Sequence, residues 1–108
     1  MSTPAAPGDV FVVIAAYNEA TVIGEVVAAV RQHYANVVVV DDGSRDATGR
    51  AAGAAGAVVI RHPINLGQGA ALQTGITFAL QAGAQAVVTF DADGQHRAEE
   101  IATLLAAL

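Results

Sequence analysis

The stretch "VFVVIAAYNEA", residues 10–20, decides the fold class because a short apolar run in it ends abruptly in polar residues. Its first seven residues are all apolar and most are β-branched, and the run is too short for a stable helix. A continuous apolar run of this length is typical of a strand buried on both faces, as in parallel sheets. The polar residues that follow predict a loop at the carboxyl end of that strand.

Short apolar runs of this kind alternate with segments of helical periodicity along the chain. In residues 68–82, for example, Leu72, Ile76 and Leu80 are predicted to share one helical face. The pattern predicts four strands, at 10–16, 36–40, 58–61 and 86–90, and four helices, at 19–33, 45–54, 68–82 and 99–108. Such alternation is typical of the α/β class, in which a parallel sheet carries helices on both faces.

The composition bounds the size and the chemistry of the protein. The 108 residues suffice for a single domain, with residues 1–9 as a flexible lead-in. The net charge is −5, with five arginines and no lysine, which argues against nucleic acid as a partner and excludes P-loop and Schiff-base chemistry. Cysteine is absent, so thiolate chemistry is excluded. Without a signal peptide or an apolar run of membrane-spanning length, a cytoplasmic location is expected.

Polar residues cluster directly after three of the four predicted strands. They are Tyr17, Asn18 and Glu19 after the first strand, Asp41 and Asp42 after the second, and Asp91 and Asp93 after the fourth. Because the carboxyl ends of parallel strands meet at one edge of a sheet, where α/β proteins bind ligands, these side chains are expected to lie close together. Asn18 is also a suitable cap for the helix that follows it.

Asp91 and Asp93 place two carboxylates side by side, and these repel each other unless a cation lies between them or water screens them. Such a pair can bind a divalent cation that also takes the oxygens of a nucleoside diphosphate. Oxygen ligands favour Mg²⁺ or Mn²⁺. The alternative is a solvated acidic turn that caps the last predicted helix.

Three other α/β folds fit the motifs less well. A dinucleotide-binding fold needs a glycine-rich turn after its first strand, whereas "AAYNEA", residues 15–20, contains no glycine. A haloacid-dehalogenase-like phosphatase matches "VTFDADG", residues 88–94, but expects Thr or Val where Gln95 stands, and its motif opens the domain. A phosphate-receiver domain matches "VVVVDDGS", residues 37–44, but needs a lysine after its last strand.

Four motifs in register resemble the nucleotide-binding half of family 2 glycosyltransferases. They are "VVIAAYNEA" at 12–20, "VVVVDDGSRDAT" at 37–48, "NLGQGAALQTGI" at 65–76 and "FDADGQH" at 90–96. Within that family the chain is most similar to the polyprenyl-phosphate (dolichyl-phosphate-like) mannosyl- and glucosyltransferases. The resemblance covers residues 10–108 and implies the GT-A fold, a Rossmann-like three-layer sandwich with four parallel strands in the order 3-2-1-4. It also implies transfer of a hexose from a GDP- or UDP-sugar to an acceptor such as polyprenyl phosphate.

The same resemblance assigns nucleotide-sugar-binding roles to residues of four loops. The base and ribose would contact Ala16, Tyr17 and Glu19, and one of Asp41 and Asp42 would accept a ring N–H of uracil or guanine. The loop residues Asn65, Gly67 and Gly69 would lie close to the nucleotide. The diphosphate would bind near Asp91, Ala92, Asp93 and Gln95, with Asp91 and Asp93 as metal ligands. Structural alternatives stay open: Tyr17 as a core-edge aromatic, Asp42 or Ser44 as a helix cap, and the glycines as a turn. His33 and His62 are predicted to be structural or solvent-facing.

Family members run to roughly twice this length, so the resemblance implies that the acceptor site and the general base lie beyond residue 108. The chain is therefore expected to contain no catalytic residue and to be inactive in transfer by itself, with any membrane contact made by the remainder. Strand 86–90 would lie at a sheet edge, and a homodimer through that edge is expected. A stand-alone α/β binding or signalling module is the alternative function, with the phosphatase as a further one.

Overall fold

The computed structural model describes residues 9–92 and contains a four-stranded sheet with three helices. The elements are β1 (Val10–Ala16), α1 (Ile23–Arg31), β2 (Asn36–Asp42), α2 (Thr48–Ala54), β3 (Val58–His62), α3 (Gln68–Gln81) and β4 (Ala86–Asp91). The strands are parallel and lie in the order β3-β2-β1-β4. This architecture confirms the α/β class, the Rossmann-like arrangement and the predicted strand order. In the described part of the chain, no helix is both long enough and apolar enough to cross a membrane.

Strands β1 and β2 form the centre of the sheet, and their side chains alternate between two cores. Val12, Ile14 and Val39 pack on one face with the buried residues of α1 and α2. Val13 and Val40 pack on the opposite face against α3. Because both faces are covered by helices, the central part of each strand is an unbroken apolar run, as the sequence predicted.

Helix α3 lies close to the sheet because the residues that face the sheet are small. Ala71, Gly75 and Ala79 recur every four positions and are all buried. Leu80 was predicted to share the apolar face, but it is 59% exposed, so that prediction is wrong. The larger residue Leu72 packs at the side of the contact. The helix is therefore positioned by small residues at its centre, which let the two backbones approach each other.

The first helix begins at Ile23 and not at Glu19 as predicted, because the preceding segment is bonded to the loop after β2. Asn18 adopts a left-handed backbone conformation with φ 54°, and it does not cap α1. Three consecutive amides donate to side-chain oxygens of that loop: Asn18 N to Ser44 Oγ at 2.9 Å, Glu19 N to Thr48 Oγ1 at 2.9 Å and Ala20 N to Asp46 Oδ2 at 3.2 Å. These long-range partners replace the cap that the local sequence predicted.

The second helix begins at Thr48, three residues later than predicted, for the same reason. Asp46 accepts hydrogen bonds from the Thr48 amide at 3.0 Å and from the Thr48 hydroxyl. Asn18 Oδ1 accepts from the Arg45 amide at 2.9 Å, so the two loops are joined in both directions. Neither Asp42 nor Ser44 caps α2, so the alternative that one of these two residues serves as a helix cap is wrong.

Polar residues lie at one edge of the sheet, as predicted: they end β2, β3 and β4, and they directly follow the end of β1. Strand β2 extends through Asp42, so both aspartates belong to the strand and not to the following loop. Strand β4 extends through Asp91 and forms one edge of the described sheet. The predicted helix at 99–108, the site residues Asp93 and Gln95, and residues 1–8 of the predicted lead-in lie outside the described residues.

Candidate nucleotide-binding site

A cleft of about 400 Å³ opens at the carboxyl edge of the sheet. Its volume lies within the range of small-molecule sites. The cleft is lined by residues from the ends of β1 and β2, from the loop after β3 and from the start of α3, namely Ala15, Ala16, Tyr17, Glu19, Asp42, Asn65, Gly67 and Gln68. Six of the predicted site residues are therefore brought together here, although they come from three separate sequence motifs.

The carboxylate of Asp42 holds the loop after β3 in place. Its Oδ1 accepts a hydrogen bond from the Leu66 amide at 2.9 Å, and its Oδ2 accepts one from the Gly67 amide at 2.8 Å. The Asp42 carbonyl oxygen also accepts from the side-chain amide of Asn65 at 3.2 Å. This wall of the cleft is thus built around one acidic side chain that is only 3% exposed.

Behind Asp42 lies His62, the last residue of β3, which is 8% exposed. Its Nδ1 lies 2.8 Å from Asp42 Oδ1, and its Nε2 lies 2.9 Å from the hydroxyl oxygen of Thr74 on α3. An ionised carboxylate can only accept, so Nδ1 of His62 donates to Asp42, and Nε2 forms the second hydrogen bond of the ring with the Thr74 hydroxyl. The prediction that His62 is structural or solvent-facing is therefore confirmed in its structural form.

These contacts favour the ionised form of Asp42. Burial alone would raise the pKa of this carboxyl, but the hydrogen bonds from the Leu66 amide, from His62 and from the Gly67 amide hold its pKa below the ordinary value. The cleft therefore contains a buried negative charge that is stabilised by three hydrogen-bond donors.

Asp41 faces the opposite side of the sheet from Asp42, because successive strand residues point to opposite faces. Its Oδ1 accepts from the Ser44 amide at 3.0 Å, and the side chain is 1% exposed. A Cβ placed on Gly49 of α2 would come within 2.9 Å of Asp41 Oδ2, so this carboxylate lies directly against that helix. Asp41 is therefore outside the lining of the cleft, and the predicted acidic pair is divided between the two faces.

Tyr17 lies at the mouth of the cleft and is 44% exposed. Together with Asn65 it also lines a second cleft of about 520 Å³, so these two residues form a shared wall. Arg45 and Arg61 line the second cleft, whereas the described residues of the first include two acids, Glu19 and Asp42, and no basic side chain. The two neighbouring clefts therefore differ in charge.

The predicted loop glycines differ in their surroundings. Gly67 immediately precedes α3 and has φ 104°, a conformation that side chains rarely adopt. Gly69 lies in the first turn of α3, outside the lining of the first cleft. A Cβ on either glycine would meet no atom within 4 Å. The space beside this helix terminus is thus open to a ligand.

The acidic motif after β4 is described only in part. The Cα of Asp91 pairs with that of Ala15, so its backbone lies beside the floor of the cleft. Ala92 is fully buried in the core on the α1–α2 face and is outside the lining of the cleft. Within residues 9–92, no group of three or more acidic or histidine side chains could by itself hold a metal ion.

Residues 11–108 match the sequence profile of glycosyl transferase family 2. The chain belongs to this family. One curated relative is UDP-N-acetylglucosamine–dolichyl-phosphate N-acetylglucosaminyltransferase of Methanococcus voltae, which is 35% identical over 89% of this chain. Another is polyprenol monophosphomannose synthase of Mycolicibacterium smegmatis, which is 36% identical over 90% of this chain. The chain spans 45% of the first relative and 40% of the second.

Solved structures of glycosyltransferases share the fold. One of them is the glucosyl-3-phosphoglycerate synthase of Mycobacterium tuberculosis, crystallised with Mn²⁺, UDP and glucosyl-3-phosphoglycerate. It superimposes on this chain with a TM-score of 0.68 at 25% sequence identity, and the match covers 90% of this chain and 38% of the synthase chain. The same enzyme was also crystallised with Mg²⁺ and UDP. The family assignment thus confirms the predicted resemblance, and it lends no support to a phosphatase or a signalling module.

Several residues that build the site of this member of family 2 were not predicted to do so from the sequence. They are Ser44, which was considered only as a helix cap, Asp46 and Thr48, which with Ser44 join the first two loops, and Thr74, which holds His62. The first three lie inside the quoted motif "VVVVDDGSRDAT", where the short polar spacing typical of side chain to backbone bonds was a usable signal. Thr74 lies mid-helix, and no local feature of its sequence points to His62.

Proposed function

We propose that this chain is the nucleotide-sugar- and metal-binding part of a hexosyltransferase that uses a GDP- or UDP-sugar as donor. The observation that carries the proposal is the cleft at the carboxyl edge of the sheet, lined by the acidic Asp42 and the aromatic Tyr17. Ligands of open α/β sheets bind at this edge. Family membership supplies the class of reaction, and the cleft supplies a place for the donor.

Asp42, and not Asp41, is the residue proposed to read the base, because only Asp42 lines the cleft. A carboxylate offers about four acceptor positions, and three on Asp42 are used, two on Oδ1 and one on Oδ2. The remaining position on Oδ2 can accept a ring N–H. Uracil and guanine have such a donor, whereas cytosine and adenine present a lone pair at the equivalent ring nitrogen and would be repelled.

The charge of the cleft supports a divalent cation as part of the site. Glu19 and Asp42 line it, no basic side chain is among its described lining residues, and a diphosphate adds further negative charge. Mg²⁺ is usually bound by one or two carboxylates together with substrate phosphates and water, so the carboxylates of Asp91 and Asp93 suit Mg²⁺ or Mn²⁺. The cation would offset the charge that develops on the leaving diphosphate. Asp91 and Asp93 remain proposed metal ligands on this basis, and Gln95 remains a proposed neighbour of the diphosphate, whereas the fully buried Ala92 is not expected to contact the donor.

The start of helix α3 would also contribute to donor binding, beside Asp42. The open space beside Gly67 and Gly69 admits a ligand to the N-terminus of this 14-residue helix, where the dipole favours anions. Tyr17 at the mouth offers a ring face for the base. The first loop and the start of α3 would therefore both line the site of a bound nucleotide sugar.

Polyprenyl phosphate is the proposed acceptor, since one relative is named as a dolichyl-phosphate transferase and another as a polyprenol monophosphomannose synthase. The general base and the acceptor pocket are proposed to lie beyond residue 108. Three further statements stay predictions: this chain by itself does not transfer sugar, it is cytoplasmic, and the remainder of the protein makes any membrane contact. A radiolabel assay with GDP-mannose or UDP-glucose and a short polyprenyl phosphate tests whether this chain transfers sugar.

The homodimer through the edge of β4 also remains a proposal. Val87 and Val88 are partly buried within one chain, whereas Phe90 is already almost fully buried there, with 6% of its surface exposed. Phe90 would therefore contribute little new burial, and pairing would depend mainly on ladder hydrogen bonds and on the two valines.

Titration calorimetry with UDP, GDP, CDP and ADP, each with and without Mn²⁺, tests the donor site. We expect UDP or GDP to bind in the presence of Mn²⁺, and Asp91→Asn and Asp93→Asn to lose this metal-dependent binding. Glu25→Gln, which changes an exposed acid on α1, is the matched control and should bind as wild type does. Wild-type affinity in both aspartate variants would refute the metal site, and equal affinity for ADP would refute base reading by Asp42.

A further inference from the structure

We propose that His62 and Thr74 are positioning residues of the donor site, which orient the Asp42 carboxylate toward the base and thereby fix the 65–67 wall of the cleft. The inference rests on the proposed function for its nucleotide part. Neither side chain lines the cleft, so both would act through Asp42.

The three side chains form a continuous hydrogen-bonded relay across three elements of the fold. The Thr74 hydroxyl on α3 is hydrogen-bonded to Nε2 of His62 at the end of β3, and Nδ1 of His62 donates to Oδ1 of Asp42 at the end of β2. Asp42 and His62 are also register partners in the sheet. Because each member is anchored in a helix or strand, the carboxylate has little freedom to rotate.

The position of each donor determines which acceptor position of Asp42 stays open. His62 and the Leu66 amide both bond Oδ1, whereas within residues 9–92 the Gly67 amide is the donor identified for Oδ2. Loss of the imidazole donor would leave Oδ1 less satisfied, and the carboxylate could then turn away from the geometry that a ring N–H needs. The relay therefore directs the open position of Oδ2 toward the ligand.

The same carboxylate orders the wall of the cleft. Its bonds to the Leu66 and Gly67 amides hold the backbone immediately before α3, where the Leu66 side chain is 54% exposed. A shift of Asp42 would free both amides at once. His62 would thus control the width of the cleft without touching the ligand.

Two pairs of variants separate positioning from a general packing role. His62→Asn keeps a donor, because its amide nitrogen branches from Cγ as Nδ1 does, whereas His62→Leu fills similar space without one. Thr74→Ser keeps the hydroxyl, and Thr74→Val removes it with little change in shape. We expect His62→Leu to weaken binding of UDP or GDP with Mn²⁺ by about tenfold or more, the loss typical of a hydrogen bond to a charged group. His62→Asn and Thr74→Ser should stay within about threefold of wild type, since each retains its hydrogen bond.

A second readout needs no nucleotide. In the ¹⁵N-labelled, ligand-free chain, we expect a hydrogen-bonded proton on Nδ1 of His62, and we expect faster hydrogen exchange at the Leu66 and Gly67 amides in His62→Leu but not in His62→Asn. A ring without a proton on Nδ1, or unchanged exchange in His62→Leu, would overturn the inference.

The two readouts also distinguish this inference from the proposed function. If wild type binds neither UDP nor GDP, the proposed function fails, and the exchange data alone decide whether His62 fixes the 65–67 wall. If wild type binds and His62→Leu binds equally tightly with the same preference over ADP, the donor site stands and the positioning role is refuted.

Discussion

Replacement of Gly75 by alanine tests whether close packing of α3 on the sheet supports the site. A Cβ at this position would lie under 3.0 Å from Val13 Cγ1 and 3.1 Å from Val40 Cγ2. Both valines are fully buried in the central strands β1 and β2, and their β-branched side chains have few alternative rotamers. The added methyl group can therefore be accommodated only if α3 moves away from the sheet.

The expected magnitude follows from two opposing effects. Overpacking in a tight core costs about 1–3 kcal/mol, and contact with two immobile neighbours places this site at the upper end. Alanine in place of glycine within a helix gains about 1 kcal/mol. The free energy of unfolding should therefore fall by about 2 kcal/mol, which is a large share of the stability of a small domain.

Gly69→Ala provides a matched control in the same helix. Its Cβ would meet no atom within 4 Å, so only the helix-propensity gain applies, and stability should rise by up to about 1 kcal/mol. The two alanine variants should then differ by about 3 kcal/mol, or about 12–24 °C in Tm. If Gly69 must stay small for the nucleotide, Gly69→Ala will also bind UDP or GDP more weakly although it is more stable.

Urea and thermal denaturation followed by far-ultraviolet circular dichroism measure both variants. A Gly75→Ala chain as stable as Gly69→Ala would show that α3 does not pack against Val13 as described. It would also remove the physical reason for small residues at the centre of α3.

Three further predictions concern other parts of the fold. Gly43→Ala should lower stability and weaken nucleotide binding, because Gly43 has φ 75° and an added Cβ would lie under 3.0 Å from backbone atoms of Ile64 and Asn65. An unchanged denaturation curve together with unchanged nucleotide affinity by calorimetry would contradict this prediction. Since the pKa of Asp42 is lowered by folding, its contribution to stability is complete above its ordinary value of 3.8 and is lost as the pH falls through the folded pKa. The free energy of unfolding, measured in urea at a series of pH values below about pH 5, should therefore fall more steeply with falling pH for wild type than for Asp42→Asn. Equal slopes for the two proteins would refute this prediction. Sedimentation of the 10.9 kDa chain at tens of micromolar should give a dimer, and a clean monomer would end the proposal of pairing through β4.

Much of the fold follows from local patterns in the sequence. Short β-branched runs such as Val37–Val40 lie between turn residues, and the period of the hydrophobic residues changes from strand to helix. The four strands and the first three helices were therefore predictable with errors at their ends. The strand order 3-2-1-4 came from the resemblance of the motifs to a family, because no local pattern states which strands are neighbours. The polar strand ends followed from the rule that parallel strands present one functional edge.

The helix starts were decided by the tertiary structure. Glu19 and Ala20 carry amides that a local reading assigns to the first turn of a helix, yet their partners are Thr48 and Asp46, more than twenty residues away. A long-range side-chain acceptor satisfies an amide as well as a helix cap does, so the chain has no need to begin the helix there. Only the packing of the two loops against each other determines which partner is used.

The division of roles between Asp41 and Asp42 was likewise decided by the tertiary structure. Alternation along a strand predicts that the two carboxylates point to opposite faces, but not which face meets α3 and the loop after β3. The sequence by itself determined that acidic residues end this strand at the functional edge. The tertiary structure decided that Asp42 has His62, Leu66 and Gly67 as partners, because their hydrogen-bond donors come from segments twenty or more residues away, which only the packed sheet brings within reach.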